Sequence, residues 1–214
     1  MKKILTILSI LAASIQMSNA QSNPKYEEAM SKGMDLLNKS ETSVDFLATS
    51  NQFERIANKE NKDWLPKYYR AYTLLLAGIF EKENDAKDAL FISALEQTNQ
   101  ADLLNPENSE IYTLKGYVQF MTMTVDPTNR AANAIPTAMA SLAKARKLDP
   151  MNPRPDFVQG QNTFYTPEYF GGGAQLAKPY LTNAAQKFET QKKTETFAPS
   201  WGKDRCLMLL SECK

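Results

Sequence analysis

Small and apolar residues recur along this chain at helical spacing, and they do so twice in the same order. Ala94, Thr98, Ala101 and Leu104 lead into Asn105-Pro106, Asn108, Gly116 and Phe120. Ala138, Leu142, Ala145 and Leu148 lead into Asp149-Pro150, Asn152, Gly160 and Phe164, each 44 positions after its counterpart. Residues spaced i, i+4, i+7 share one face of a helix, so each series predicts a helix with a narrow stripe that a neighbour can approach closely. Leu104 and Leu148 are expected to close that stripe. The Asn-Pro or Asp-Pro that follows ends the helix, because the residue before proline is pushed out of the α region. Asn108, and Asn152 with Pro153, are placed to cap the next helix. Gly116 and Gly160 fall inside that next helix, where glycine costs about 1 kcal/mol against alanine. Close approach of a second backbone is the reason to keep it there.

Weaker copies flank the clear pair. Thr49, Phe53, Ile56 and Ala71 stand 45 positions before Ala94, Thr98, Ala101 and Gly116. Asn23-Pro24 opens a helix carrying Tyr26, Met30, Met34 and Leu37, with proline tolerated at its first position. Downstream, Ala177, Leu181 and Ala184 supply another second helix, whose start Pro179 is expected to kink or delay. A last helix begins near Pro199 and places Cys206, Leu209 and Cys213 on one face, in position to close the exposed apolar end of a stack. About nine helices follow, in four imperfect pairs plus a cap, with no strand. The run from Tyr117 to Val125 suits a strand by propensity, but the repeat around it predicts helix.

The order small residue, aromatic, Ala, large residue, Ala, Pro resembles the tetratricopeptide repeat. Ala138, Leu142, Ala145 and Pro150 match its second helix, and Ala94, Ala101 and Pro106 match with Thr98 in the large position. Gly116 and Gly160 fall at its eighth position. The family repeat is 34 residues long, so this chain carries about ten more per unit. The extra residues are expected around Val125-Asp126-Pro127-Thr128-Asn129, and around Thr166-Pro167 and Gly171-Gly172-Gly173. HEAT-type repeats have a period nearer to the observed one and remain the rival assignment. The resemblance implies an all-α fold of stacked antiparallel helix pairs, a single domain over residues 21–214 with a C-terminal capping helix.

Residues 1–20 read as a cleaved signal peptide. Lys2 and Lys3 precede an apolar run from Ile4 to Ile15, and Ser18-Asn19-Ala20 offers small residues at a cleavage site. The apolar run is short against the roughly 20 residues of a spanning helix. The mature chain would start at Gln21, with no cysteine there to take a lipid anchor, so the expected location is periplasmic or secreted without stable membrane insertion. Of 25 basic and 24 acidic residues, removing Lys2 and Lys3 leaves 23 against 24. A nearly neutral chain has no electrostatic reason to bind nucleic acid. The chain contains no histidine, which removes Ser-His and Cys-His nucleophile pairs and the commonest metal ligand. No cofactor, metal site or catalytic constellation is expected. Adjacent carboxylates such as Glu27 with Glu28 do not face each other on a helix, and Gly171 to Gly173 lack the Gly-Lys-Ser/Thr of a phosphate loop; the glycines are expected to let Tyr169 and Phe170 fold under a tight loop. Cys206 and Cys213 are two helical turns, roughly 10.5 Å, apart, beyond the reach of a disulfide unless the last turn unwinds. They read as two half-buried thiols.

In a tetratricopeptide stack the first helix of each pair lines the concave side. Carried over by position, that lining is Tyr68, Tyr72, Leu75 and Leu76; Glu110, Thr113, Tyr117, Phe120 and Met121; and Arg154, Phe157, Gln161, Phe164 and Tyr165. So many aromatic and methionine side chains suit a binding hot spot. The first expectation is therefore a non-catalytic scaffold in the cell envelope. It would hold a protein or peptide partner between Tyr68, Tyr72, Tyr117, Phe120, Phe157 and Phe164, with Glu110 and Arg154 orienting it at the rim. The alternative is a periplasmic accessory protein with an enclosed pocket for a small apolar solute. The bland reading also stands: a tightly curled stack would bury these aromatics as ordinary core against the terminal helix and Trp201.

Overall fold

A computed structural model describes residues 23–192 and 195–213. The expected signal peptide, residues 1–20, and the start at Gln21 lie outside the described residues. Within them the fold is all-α, with nine α-helices, one short 3-10 turn and no strand. The helices are α1 (Pro24–Lys39), α2 (Ser43–Lys59), α3 (Trp64–Phe80), α4 (Asn84–Leu104), α5 (Ser109–Met123), α6 (Pro127–Leu148), α7 (Arg154–Tyr165), α8 (Ala174–Thr190) and α9 (Lys203–Glu212).

Their boundaries follow from local chemistry. Asn23 accepts the Lys25 amide ahead of Pro24, and Asp63 accepts the Leu65 amide at the head of α3. Thr42 and Asp45 form a reciprocal capping box on α2. Asn108 accepts the amides of Glu110 and Ile111, as its place in the repeat predicts. Asn152 does so for Arg154, and its own amide donates to Ser109 Oγ at 2.9 Å, tying the two capping turns together.

The helices pack as antiparallel pairs, α1 with α2, α3 with α4, α5 with α6 and α7 with α8. The first helices α3, α5 and α7 touch in succession and form an inner row; α9 closes the far end on α7 and α8. Each pair is locked by a glycine of the first helix lying under a fully buried large side chain of the second: Gly33 under Phe53, Gly78 under Phe91, Gly116 under Leu142, Gly160 under Leu181. A Cβ at Gly116 would stand 2.8 Å from the Leu142 side chain and 3.1 Å from the Ala138 carbonyl. Ala94, Ala101, Ala138 and Ala145 are all buried at these contacts.

Three details differ from expectation. Leu104 does not close the stripe of α4; it is 36% exposed, because the stripe already ends at Ala101. The extra residues of the long repeat do not all sit in loops: α6 starts at Pro127 and runs for 22 residues, and α4 runs for 21. Pro179 does not delay α8, which begins at Ala174 and carries the proline inside it. Pro179 lies on the exposed side, where its ring meets solvent rather than a neighbouring helix.

Candidate functional site

The inner row is covered by an irregular strap, residues 195–202, which runs from the end of α8 to the start of α9. Trp201 makes most of its aromatic contacts, and Pro199 is its buried residue. The indole stacks on Tyr72 with ring centroids 5.0 Å apart and an interplanar angle of 18°. Tyr117 and Phe157 flank it at 6.1 and 6.2 Å. The indole Nε1 donates to Tyr68 Oη at 2.8 Å, and Tyr69 Oη donates to the Phe197 carbonyl at 2.9 Å.

Behind the strap sits Arg154, 0% exposed. Its guanidinium donates to Glu110 Oε1 at 2.8 Å, to the Pro199 carbonyl at 2.5 Å and to the Trp201 carbonyl at 3.1 Å. Burial pushes the Glu110 carboxyl up to about 7, against the opposing pull of Arg154. Burial likewise raises Tyr68, Tyr69 and Tyr72 above the ordinary tyrosine range, so all three keep their protons at neutral pH. The rim position expected for Arg154 is thus corrected: it lies in the interior, with Glu110 as its counter-ion.

The predicted lining divides. Tyr68, Tyr117, Phe120 and Phe157 are buried, and Met121 and Phe164 pack half-buried against the same core. Tyr165 is 56% exposed and lies edge-on to Phe164, its hydroxyl bonded to Arg205. Tyr72 and Leu76, with Tyr69 beside them, border a cleft.

This cleft, of 540 Å³, lies between α1, the C-terminal half of α3 and the strap. Met34, Leu37 and Phe46 form one wall, Tyr69, Tyr72 and Leu76 the floor, and Trp201 the other wall. Lys203, Asp204 and Arg205 stand at the mouth. Lys203 is engaged by Glu189 at 3.0 Å, whereas Arg205 has no carboxylate partner among the described residues. A second cleft, of 940 Å³, is lined by strap residues 195–200 and shares Met34, Ser200 and Lys203 with the first.

Sequence reasoning missed the α1 wall and Arg205. Met34 and Leu37 carried only an amphipathic-helix signal, and a lone arginine in a terminal helix carries no signal at all. Gly171 to Gly173 are structural. The Gly172 and Gly173 amides donate to the Pro167 and Thr163 carbonyls, and a Cβ at Gly172 would stand 2.1 Å from the Thr166 carbonyl. Tyr169 does not fold under this loop but projects outward, 91% exposed, with Phe170 beside it. Cys206 and Cys213 are free, buried thiols. Among the described residues no group of His, Cys, Asp and Glu is arranged to hold a metal, and no helix is long and apolar enough to cross a membrane.

No protein-family model matches this sequence, and no curated protein matches it. Among solved structures the chain is similar to the HusA haemophore from Porphyromonas gingivalis, with a TM-score of 0.78 and 28% identity, over 92% of this chain and 96% of that chain.

Proposed function

We propose that this chain is an exported, non-catalytic binding protein that carries a flat, apolar macrocycle of the haem class in the cleft between α1, α3 and the strap. The observation that carries this reading is the cleft itself: a slot between Trp201 on one side and Met34, Leu37 and Phe46 on the other, floored by Tyr72 and Leu76. Arg205, which pairs with no carboxylate among the described residues, stands at its mouth. The likeness to a haemophore over nearly the whole of both chains supports the same direction. The cleft volume lies within the roughly 300–1,000 Å³ usual for small-molecule sites. Apolar walls bury the faces of a macrocycle, and Arg205 would meet its peripheral carboxylates, for which a guanidinium fork is suited.

With no histidine in the chain, an iron in the slot would have to be met by sulfur or phenol. Met34 is the sulfur that lines the cleft. Tyr69 and Tyr72 are the phenols that line it. In this reading, retention rests on apolar burial of the macrocycle faces. The expectation of an apolar solute in a pocket is the one this reading develops. The peptide groove has lost much of its room, since the strap of the same chain occupies the middle of the aromatic lining. Kinship with tetratricopeptide proteins remains a proposal that rests on the spacing of small residues.

The test is titration of the full mature chain with haemin and with metal-free protoporphyrin, followed by absorbance and tryptophan quenching. Both should bind, with similar affinity. Leu76→Arg, which places a charge on the floor of the slot, should weaken both by about tenfold or more, a loss of about 1.4 kcal/mol, with little change in melting. Failure of both porphyrins to bind rejects the proposal.

A further inference from the structure

Resting on that reading, we propose that Arg154 is the positioning residue of the cleft. From a buried place on α7 it fixes Trp201, the aromatic wall, through the main-chain carbonyls of Pro199 and Trp201. It does not line either cleft itself.

The strap has no helix or sheet of its own to satisfy its backbone, and a carbonyl taken out of water needs a donor. Arg154 supplies that donor twice, at 2.5 Å to Pro199 and 3.1 Å to Trp201, while its remaining terminal nitrogen is neutralised by Glu110 at 2.8 Å. Gln191 accepts a longer bond at 3.4 Å. The guanidinium carbon also lies 5.5 Å from the Trp201 ring centroid and 5.7 Å from that of Phe188, so the same group touches the indole and holds its backbone. The opposite end of the indole is held by Tyr68. Two fixed points, one on the peptide and one on Nε1, leave the ring only rotation about the line between them, and the guanidinium against its face restricts that rotation and so keeps the stack on Tyr72.

Only an arginine does this. The three principal acceptors come from α5 and from two strap carbonyls, and a planar fork with five donors reaches them at once, whereas an ammonium at a single point does not. Trp201 lines the first cleft and not the second, so any displacement of its ring changes the width of the first. Arg154 thereby sets the width of the slot from outside it.

The experiment uses a Trp64→Phe background, in which Trp201 is the one tryptophan left. Arg154→Lys should keep helical content and a cooperative melt. It should lose the near-ultraviolet circular dichroism of Trp201 in the ligand-free protein, expose the indole to acrylamide, and speed haemin release by about tenfold or more, since a disturbed wall acts on dissociation rather than on encounter. If Arg154→Lys fails to fold, the pair Arg154→Met with Glu110→Gln removes both buried charges together, a change often neutral for stability, and reads the same signals. A folded variant whose Trp201 signals equal those of its parent overturns the proposal. So does one that loses them while haemin release is unchanged. If the parent binds no porphyrin, the cleft reading has failed instead, and the ligand-free Trp201 signals still decide whether Arg154 fixes the ring.

Discussion

Glu110 faces Arg154 of α7, Asp149 at the end of α6, and the phenols of Tyr68 and Tyr69 on α3. Its folded carboxyl titrates at about 7, above the ordinary 4.5, chiefly because it is buried. Between those values the folded chain holds a proton that the unfolded chain has released, so the stability tied to this group is full below about 4.5 and is lost as pH rises through 7. Subtracting the urea midpoint of Glu110→Gln from that of the wild type should therefore give a larger value at pH 5 than at pH 8. The subtraction matters, because Asp88 and Asp126, held low by Arg130 and Asn129, run the other way. An equal difference at both pH values would mean the carboxyl is not desolvated. Gly116 makes the second residue-scale prediction. Leucine there would drive into Leu142 and the Ala138 carbonyl, and overpacking of this kind costs about 1–3 kcal/mol. An unchanged midpoint would mean that α5 and α6 do not touch at this place.

At the scale of elements, the helices begin where short side chains can stand in for missing backbone partners. The capping box of α2 is the most complete case, with Thr42 and Asp45 each serving the other's amide. Thr42→Ala should lower stability by about 1 kcal/mol, measurable by chemical denaturation, and the local character of the cap predicts no change in ligand binding. The terminal helix α9 docks with Cys206 and Leu209 fully buried, Cys206 Sγ lying 3.4 Å from the Leu181 carbonyl. Burial pushes the Cys206 thiol up to about 11. A thiol reagent at neutral pH should thus react slowly with the native protein and find two free sulfhydryls after denaturation. A count of none would mean that the last turn unwinds to form a bridge. The sequence reading of this helix had its apolar face right, but not its start near Pro199: Pro199 to Gly202 are irregular, the helix begins at Lys203, and both thiols are buried rather than half-buried. The reading of Tyr169 and Phe170 failed, because which way a loop turns its side chains depends on the Pro167 and Thr163 carbonyls that its glycine amides find.

Across the whole molecule the strap joins what the repeat leaves open. Removing residues 196–214 would strip Trp201 from Tyr72 and Tyr117 and α9 from α8, exposing the inner row. The truncated chain should remain helical but melt at lower temperature, bind an apolar dye, and bind neither porphyrin. Retention of porphyrin binding by that chain would place the site elsewhere on the inner row.

Periodicity determined the secondary structure, the pairing of the helices and the sites of backbone contact, because a small side chain every three or four residues has one inexpensive use, and that use is close packing. The same periodicity named the aromatics of the inner row, since those positions recur with the repeat. It did not determine whether they meet a ligand, another protein or the chain's own end. That was decided when a segment without any pattern of its own found donors in Arg154 and Tyr69 and an acceptor in Tyr68, on helices distant in sequence. Contacts of this kind depend on where three helices stand at once, and no spacing along one chain encodes them.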